Sequence, residues 1–420
     1  MCRVCAVKLL LLFVVFCTCQ AKEMGLRECI LVAMRNNPTL KSYQKLEVFR
    51  HYQRLLVSSE FFPTLSLEFD YTRAGGTHMS PYDTYSYAFN MQWEIFSGFT
   101  TLNTMRKEKF LELASKKETR KTLLDVTYSV VKAYLSALNA KNELLAAKHY
   151  LNSSTKVLQL TKARYKAGLA SRSDVVHAKA QYEEAHFKFI TKKKEYKKAT
   201  AELAVAMGLD VTNRIDPKEL SPVLAEFDVG RLLELAQENS PEIKEARLKV
   251  KAQKRAVNAV KGEFAPSVVL SGSWGKSDES LFPDDTSSWS LGVYVKLPVF
   301  TGFSTWRKLK REKAQLDSLR FKERETVLSV QLRTWKAYQD YLIAKERFSS
   351  AKAYFDSARE SFKVMLKKYQ VKLASIVDLT TTQARLYDAE SAFYDALNDV
   401  LLSYYGLVRA VGKIPVLEGM

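Results

Sequence analysis

Side chains able to do chemistry are few in this chain and poorly spaced for it. Five histidines are scattered over 420 residues, and His177 and His186 share a helical stretch nine residues apart. That is far from the one-turn separation that lets two imidazoles share a metal on one helix face. Four of the five cysteines lie before residue 22, which leaves Cys29 alone. There is no HExxH, no CxxC after the first five residues, no phosphate-binding GxxxxGK[ST] and no GxSxG nucleophile elbow. Two basic runs, Lys192 to Lys198 and Arg307 to Lys313, have the composition of nucleic-acid patches, but on long helices such runs are solvated faces. No enzyme activity, metal, cofactor or nucleic-acid partner is expected.

The first 21 residues explain part of that poverty. Arg3 and Lys8 precede the apolar run Leu9 to Phe16, and Cys19-Gln20-Ala21 ends it with small residues where a signal peptidase reads. The run is too short to span a bilayer stably. Lipid attachment at Cys17 or Cys19 would want Gly, Ala or Ser where Phe16 and Thr18 stand. Cleavage after Ala21 removes two cations and no acid, so the net charge falls from +19 to +17. An exported chain with one cysteine has no internal disulfide, so packing alone must hold it.

The chain is a duplication. Asn36 and Pro38 recur as Asn239 and Pro241 and Pro63 as Pro266, at a shift of 203. After one inserted residue the shift is 204: Phe96, Gly98 and Phe99 recur as Phe300, Gly302 and Phe303, Lys132-Ala133-Tyr134 as Lys336-Ala337-Tyr338, and Tyr165, Ser171, Asp174 and Gly208 as Tyr369, Ser375, Asp378 and Gly412. The period exceeds that of solenoid arrays, so the repeated unit has the size of a domain. The first repeat is read as 22–208, a linker as 209–230, the second repeat as 231–412 and a tail as 413–420.

Each repeat reads as short helices, a strand pair and a long helical hairpin. Helical spacing from Gly25 stops at Pro38, and a second helix runs to about Glu60 before Pro63. Strict alternation follows over 63–96, with Leu65, Leu67, Phe69 and Tyr71 on one face, a Gly-Gly loop around Gly75 and Pro81, then Tyr85, Tyr87, Phe89, Met91 and Trp93. Residues 266–300 repeat it with Val268, Leu270 and Trp274, then Trp289, Leu291, Val293, Val295 and Leu297. Strands of about ten residues with one aromatic-ended apolar face have the length of transmembrane β-strands.

The hairpins are read over 100–207 and 304–411. Thr100 to Tyr165 and Ser304 to Tyr369 contain neither proline nor glycine. At 1.5 Å per residue each is roughly 100 Å of helix. Leu124, Tyr128, Val131, Leu135, Leu138 and Leu145 form one apolar seam and Leu123, Val130, Tyr134, Ala137 and Leu144 a second, so the helix packs on both sides like a member of a coiled-coil wall. The helix should turn at Lys166 to Ala170 and again at Gln370 to Ala374, which lacks the glycine.

Several local patterns resemble the TolC-like outer-membrane channel-tunnel family: Ala33-x-x-Asn36-Asn37-Pro38; Leu297-Pro298-Val299-Phe300-Thr301-Gly302 at a strand exit; Arg164-Tyr165-x-x-Gly168-Leu169-x-Ser171 at a turn; Ile376-Val377-Asp378, then Leu386-Tyr387. The likeness covers nearly the whole chain after the export segment. It implies a mainly α protein with a small β part. Four strands per chain would combine in a homotrimer as a twelve-stranded barrel, continued by a helical tunnel. The implied place is the outer membrane, in contact with lipid and reaching into the periplasm. The implied work is that of a passive exit duct for efflux or type I secretion, joined through a periplasmic adaptor to an inner-membrane transporter. The competing reading is a coiled-coil spacer without a pore, which would have no use for strands with an apolar, aromatic face.

The resemblance also assigns residues. Asp378 would line a constriction, three copies bringing three carboxylates together and raising their pKa values by repulsion; the family often has a second aspartate where Thr381 stands. Tyr369 would pair with Asp174 to hold the closed state, and a basic partner found in the family is replaced by Ala374. Gly168, Leu169 and Ser171 in one turn, and Leu373 and Ala374 in the other, would dock the adaptor, surrounded by Arg164, Lys166, Arg172, Lys368 and Lys372.

Overall fold

A computed structural model describes residues 22–281 and 287–415, so the expected export segment lies outside the described residues. The chain is mostly helical with a small sheet. It divides into two compact units, one of residues through Asn37, Thr127–Leu224 and Ile343–Tyr404, the other of Pro38–Val126, Ala225–Leu342 and the residues from Tyr405. The duplication is carried to the residue. Helices α1 (Leu26–Asn36) and α5 (Val229–Asn239) have 11 residues each, α2 (Pro38–Ser59) and α6 (Pro241–Gly262) have 22, α3 (Thr100–Lys166) and α7 (Ser304–Gln370) have 67, and α4 (Arg172–Ala206) and α8 (Ile376–Ala410) have 35.

The second unit holds an antiparallel sheet of β2 (Thr64–Gly76), β3 (Met79–Ser97), β5 (Ser267–Asp278) and β6 (Ser287–Lys296), in the order β2-β3-β5-β6. The β2–β3 turn is tighter than the expected loop. Strand β3 starts at Met79, and Pro81 lies inside it, opposite Gly75, where the register slips between Ala74 and Gly76. A bulge there leaves no partner waiting for the amide that proline lacks. Three of the four strands exceed ten residues, β3 reaching 19, while β6 has ten. Both repeats leave the sheet through two consecutive left-handed residues, Gly98-Phe99 and Gly302-Phe303. In this unit α2 is tied to α3 through Glu112, which accepts from Arg54 Nε at 2.7 Å and faces His51 at 3.3 Å. Helix α6 buries Ile243, Val250 and Val257 against Val330 and Leu316 of α7. Ser240 caps α6 and Pro241 opens it, the arrangement in which proline costs no hydrogen bond.

The other unit is helical apart from one short parallel pair, β1 (Lys22–Met24) with β4 (Ile215–Pro217). Periodicity cannot reveal three-residue strands, and this pair gives residues 209–230, read as a linker, a short ordered strand of their own. Tyr134 is fully buried and its hydroxyl donates to the Lys218 carbonyl at 2.7 Å, while Lys141 Nζ reaches Asp216 at 2.7 Å. Of the two seams predicted on α3, Leu124, Val131, Leu135 and Leu138 and also Val130, Tyr134 and Ala137 are buried, but Leu145 is exposed. The buried stripe moves to Ala146, Ala147 and Tyr150, because a 3.6-residue helix drifts away from a strict seven-residue repeat.

Candidate functional site

The strand register sorts the sheet into two chemically opposite faces. Leu67 pairs with Phe89, Phe89 with Trp274 and Trp274 with Trp289, so one row across all four strands is large and apolar. The adjacent row, Ser66, Asn90, Ser273 and Ser290, is wholly polar. Its members bond along the face: Asn90 Nδ2 donates to Glu68 at 2.9 Å, and the Ser273 and Ser290 hydroxyls lie 2.8 Å apart. On the apolar face Phe69 meets Tyr87 at 4.9 Å and Tyr71 meets Tyr85 at 5.0 Å between ring centres, yet Leu67 and Trp289 remain exposed. Strands β2 and β6 are open edges. A sheet with an exposed apolar face suits lipid only once its edges are paired.

The two helical turns are built alike from different residues. Helix α3 ends in a Schellman motif in which Leu169 N–H donates to the Arg164 carbonyl at 2.8 Å and Gly168 N–H to Tyr165 at 3.0 Å. Leu373 and Lys372 repeat it on Lys368 and Tyr369 at 2.8 and 3.2 Å. The left-handed residue is Gly168, at φ 71°, in the first turn and Lys372, at φ 68°, in the second. Each turn hands over to a capping box. Ser171 N–H donates to Asp174 and Asp174 N–H to the Ser171 hydroxyl, at 2.8 and 3.1 Å. Ser375 and Asp378 make the same reciprocal bonds at 3.1 Å each. Leu169 and Leu373 stand exposed at the two turns.

Beneath the turns a core of Val157, Leu158, Ala178, Ile376 and Leu379 encloses Tyr369. Its hydroxyl lies 3.1 Å from Thr161 Oγ1 and, because Thr161 donates to the Val157 carbonyl at 2.9 Å, Tyr369 is the donor. Arg164 Nη1 donates to the Tyr369 carbonyl at 2.5 Å, and its guanidinium lies 4.6 Å from the ring centre. The sequence-based pairing of Tyr369 with Asp174 is therefore corrected. Tyr369 bonds Thr161, and Asp174 caps α4. The basic link expected to be missing at Ala374 is supplied from α3 by Arg164; Ala374 itself packs on the core under the turn. Thr161 escaped sequence reasoning because a threonine inside a helix carries no signal of its own. Asp378 is exposed with Thr381 one turn further along. Bonds from the Ser375 hydroxyl and amide hold its carboxyl below the usual range in the single chain.

The other chemistry-bearing residues are spent locally. His177 and His186 are exposed on α4, and His186 stacks on Tyr182. In the basic runs Lys192 pairs with Glu143 at 2.7 Å and Lys308 with Glu263 at 3.0 Å. Among the described residues no group of three or more His, Cys, Asp or Glu side chains could hold a metal ion, and no helix is long and apolar enough to cross a membrane.

The model of a family described as outer membrane efflux protein matches residues 30–209 and 232–413, one match for each repeat. The chain belongs to the outer membrane efflux protein family. Among curated relatives, the alkaline protease secretion protein AprF of Pseudomonas aeruginosa is 23% identical over 427 residues, covering 95% of this chain and 85% of that protein. The outer membrane protein TolC of Vibrio cholerae is 23% identical, covering 79% and 77%. Among solved structures, CusC superposes with a TM-score of 0.84 at 15% identity, covering 92% of both chains, and the Campylobacter jejuni CmeC channel with 0.82 at 18%, covering 92% and 85%. The fold is that of a TolC-like channel-tunnel. An outer membrane efflux protein resides in the outer membrane and serves transport, which gives the two-faced sheet and the long hairpins their purpose.

Proposed function

We propose that this efflux protein is a trimeric exit duct, gated at its helical turns and supplied through a periplasmic adaptor by an inner-membrane transporter. The observation that carries this reading is the pair of opposed rows on a four-stranded sheet with two open edges. Such a sheet can sit in lipid only as part of a closed barrel. Three copies supply twelve strands, wide enough for an aqueous lumen lined by the serine-rich face. The names of relatives, alkaline protease secretion for AprF and toluene or antibiotic efflux for the TtgC and ArpC proteins of Pseudomonas putida, support both type I secretion and efflux as classes of use.

Tyr369, Thr161 and Arg164 form the link between α3 and α7 that keeps the turns closed, and Asp378 and Thr381 face the passage when three copies converge. Gly168, Leu169, Ser171, Leu373 and Ala374 form the adaptor contact, where apolar tips ringed by cations accept a partner's hairpin. A coiled-coil spacer without a pore would leave the exposed Leu67–Trp289 row unexplained.

Cysteine labelling tests the reading, since Cys29 is buried and no other cysteine lies among the described residues. In outer-membrane vesicles Ser273→Cys should react with a charged maleimide admitted to the lumen. Leu291→Cys should resist it and react with a lipid-soluble reagent. Equal labelling of both by the charged reagent overturns the barrel.

A further inference from the structure

The 204-residue shift holds without a gap along α4 and α8, yet one cluster of side chains exists in a single copy. Gln383, Tyr387 and Glu390 of α8 are buried, while their counterparts on α4, Lys179, Glu183 and His186, are exposed. Where α4 shows water a solvated face, α8 turns a carboxamide, a phenol and a carboxylate inward against α3 and α7. These stretches of the three helices belong to one compact unit. Between them lies a cavity of about 390 Å³, in the range of small-molecule sites.

Two aromatic stacks wall the cavity. Tyr150 of α3 lies on Tyr387 with ring centres 4.9 Å and planes 21° apart, and Phe355 of α7 lies on Phe393 at 5.6 Å and 20°. Lys188 Nζ is 5.3 and 4.6 Å from the Tyr150 and Tyr387 ring centres, so the tyrosine pair already attracts a cation. Two acceptors line the space. Gln383, 2% exposed, donates through Nε2 to Ser154 Oγ at 2.9 Å, and its Oε1 is buried without a hydrogen-bond partner. An unpaired buried oxygen is costly, and its persistence calls for a donor. Glu390, 7% exposed, has His149 Nδ1 3.0 Å from its Oε1. Arg359 stands exposed at the rim.

We propose that this cavity binds a flat aromatic amine carrying a positive charge. Its ring packs on the tyrosine and phenylalanine walls, an N–H donates to Gln383 Oε1, and its charge pairs with Glu390 beside His149. Arg359 opposes a cation only from the exposed rim, where water weakens the repulsion. An anionic ring of the same size would meet the Glu390 carboxylate and bring no donor to Gln383. A hydrocarbon would leave the Gln383 oxygen unpaired. The site goes beyond the duct reading, since a molecule held here sits between helices of one chain and its binding needs no pore.

The test uses the whole protein in nanodiscs of zwitterionic lipid, with empty discs as the blank. The probe is proflavine, a planar tricyclic cation with two aryl amines. Fluorescence anisotropy should show saturable binding at one site per chain. Gln383→Met keeps the side-chain length and removes the acceptor, and Glu390→Gln keeps the shape and removes the charge. Each should weaken binding about tenfold. Arg359→Gln, at an exposed position, should tighten it about twofold. Lys179→Met, the matched position on α4, should change nothing, and the anionic dye fluorescein should not compete. Proflavine that does not saturate, or that binds wild type and both cavity variants alike, overturns the site. Should those two variants unfold, Arg359→Gln decides: weaker binding, or displacement of proflavine by fluorescein, overturns the cationic ligand. Binding by detergent-solubilised monomers that is lost in the assembled protein means that another copy covers the cavity, and it overturns the site as well.

Discussion

Helices α2 and α6 have the same length and the same place in their repeats, yet α6 buries alanine and glycine while α2 exposes phenylalanine and leucine at the matching positions. The same asymmetry separates α3, where Leu124 is buried, from α7, where Leu328 is not. Duplication supplied two equal units, and the differences between them record which contacts each chain completes alone. On the multi-copy duct proposal, the large exposed apolar residues are those left for another copy.

The largest effects should come from placing the same charge at matched positions. Ala259→Asp buries an unpaired carboxylate and should cost the single chain about 3 kcal/mol or more, seen as a lowered melting temperature in detergent. Leu56→Asp should leave that temperature within about 0.5 kcal/mol of equivalent stability while abolishing the oligomer in size-exclusion chromatography. If both variants unfold alike, the repeats do not divide the work in this way.

The gate offers a middle-sized test. Tyr369→Phe removes a buried hydrogen bond worth about 1 kcal/mol, so open probability should rise about fivefold in single-channel records. Asp174→Ala should not reproduce this, since it removes a cap from α4, at about 1 kcal/mol, read as faster amide exchange in the first turn of that helix. Equal gating changes from both would restore the Tyr369–Asp174 pairing.

Asp378 gives a test by pH. Its carboxyl is held below the usual range by Ser375. The cap therefore stabilises α8 above the ordinary carboxylate pKa of about 4 and is lost as pH falls through the lower folded value. In monomeric chains Asp378 should titrate below the ordinary carboxylate range. In the assembled protein three converging carboxylates should move it up. Carbonyl-carbon NMR of both forms decides whether it is a cap alone or also a ring.

The smallest effects compare the turns. Gly168→Lys copies the second turn into the first and should cost about 1 kcal/mol, since nothing lies within 4 Å of an added Cβ and only the positive φ objects. Lys372→Gly should gain up to about 1 kcal/mol. On the docking proposal Gly168→Lys also loses adaptor cross-linking while oligomer yield is kept.

The duplication, the alternating strands and the long helices were legible in sequence because each repeats a simple period over many residues. Alternation even assigned the apolar face, through Leu67, Phe89 and Trp289. What escaped was short or cooperative. Three-residue β1 and β4 carry no period, and Thr161 matters only because Tyr369 comes to it from 208 residues away. Asp174 and Asp378 were read as gate residues, and the serine three positions before each, which gives them a helix to cap, was a local signal left unread.

One measurement bears most directly on the duct itself: conductance of the purified oligomer in a planar lipid bilayer. The account predicts discrete steps from insertion of oligomers, absent from Leu56→Asp preparations and longer in open time for Tyr369→Phe. A lipid-inserted oligomer that gives no steps, with wild type and Tyr369→Phe both silent, would contradict it.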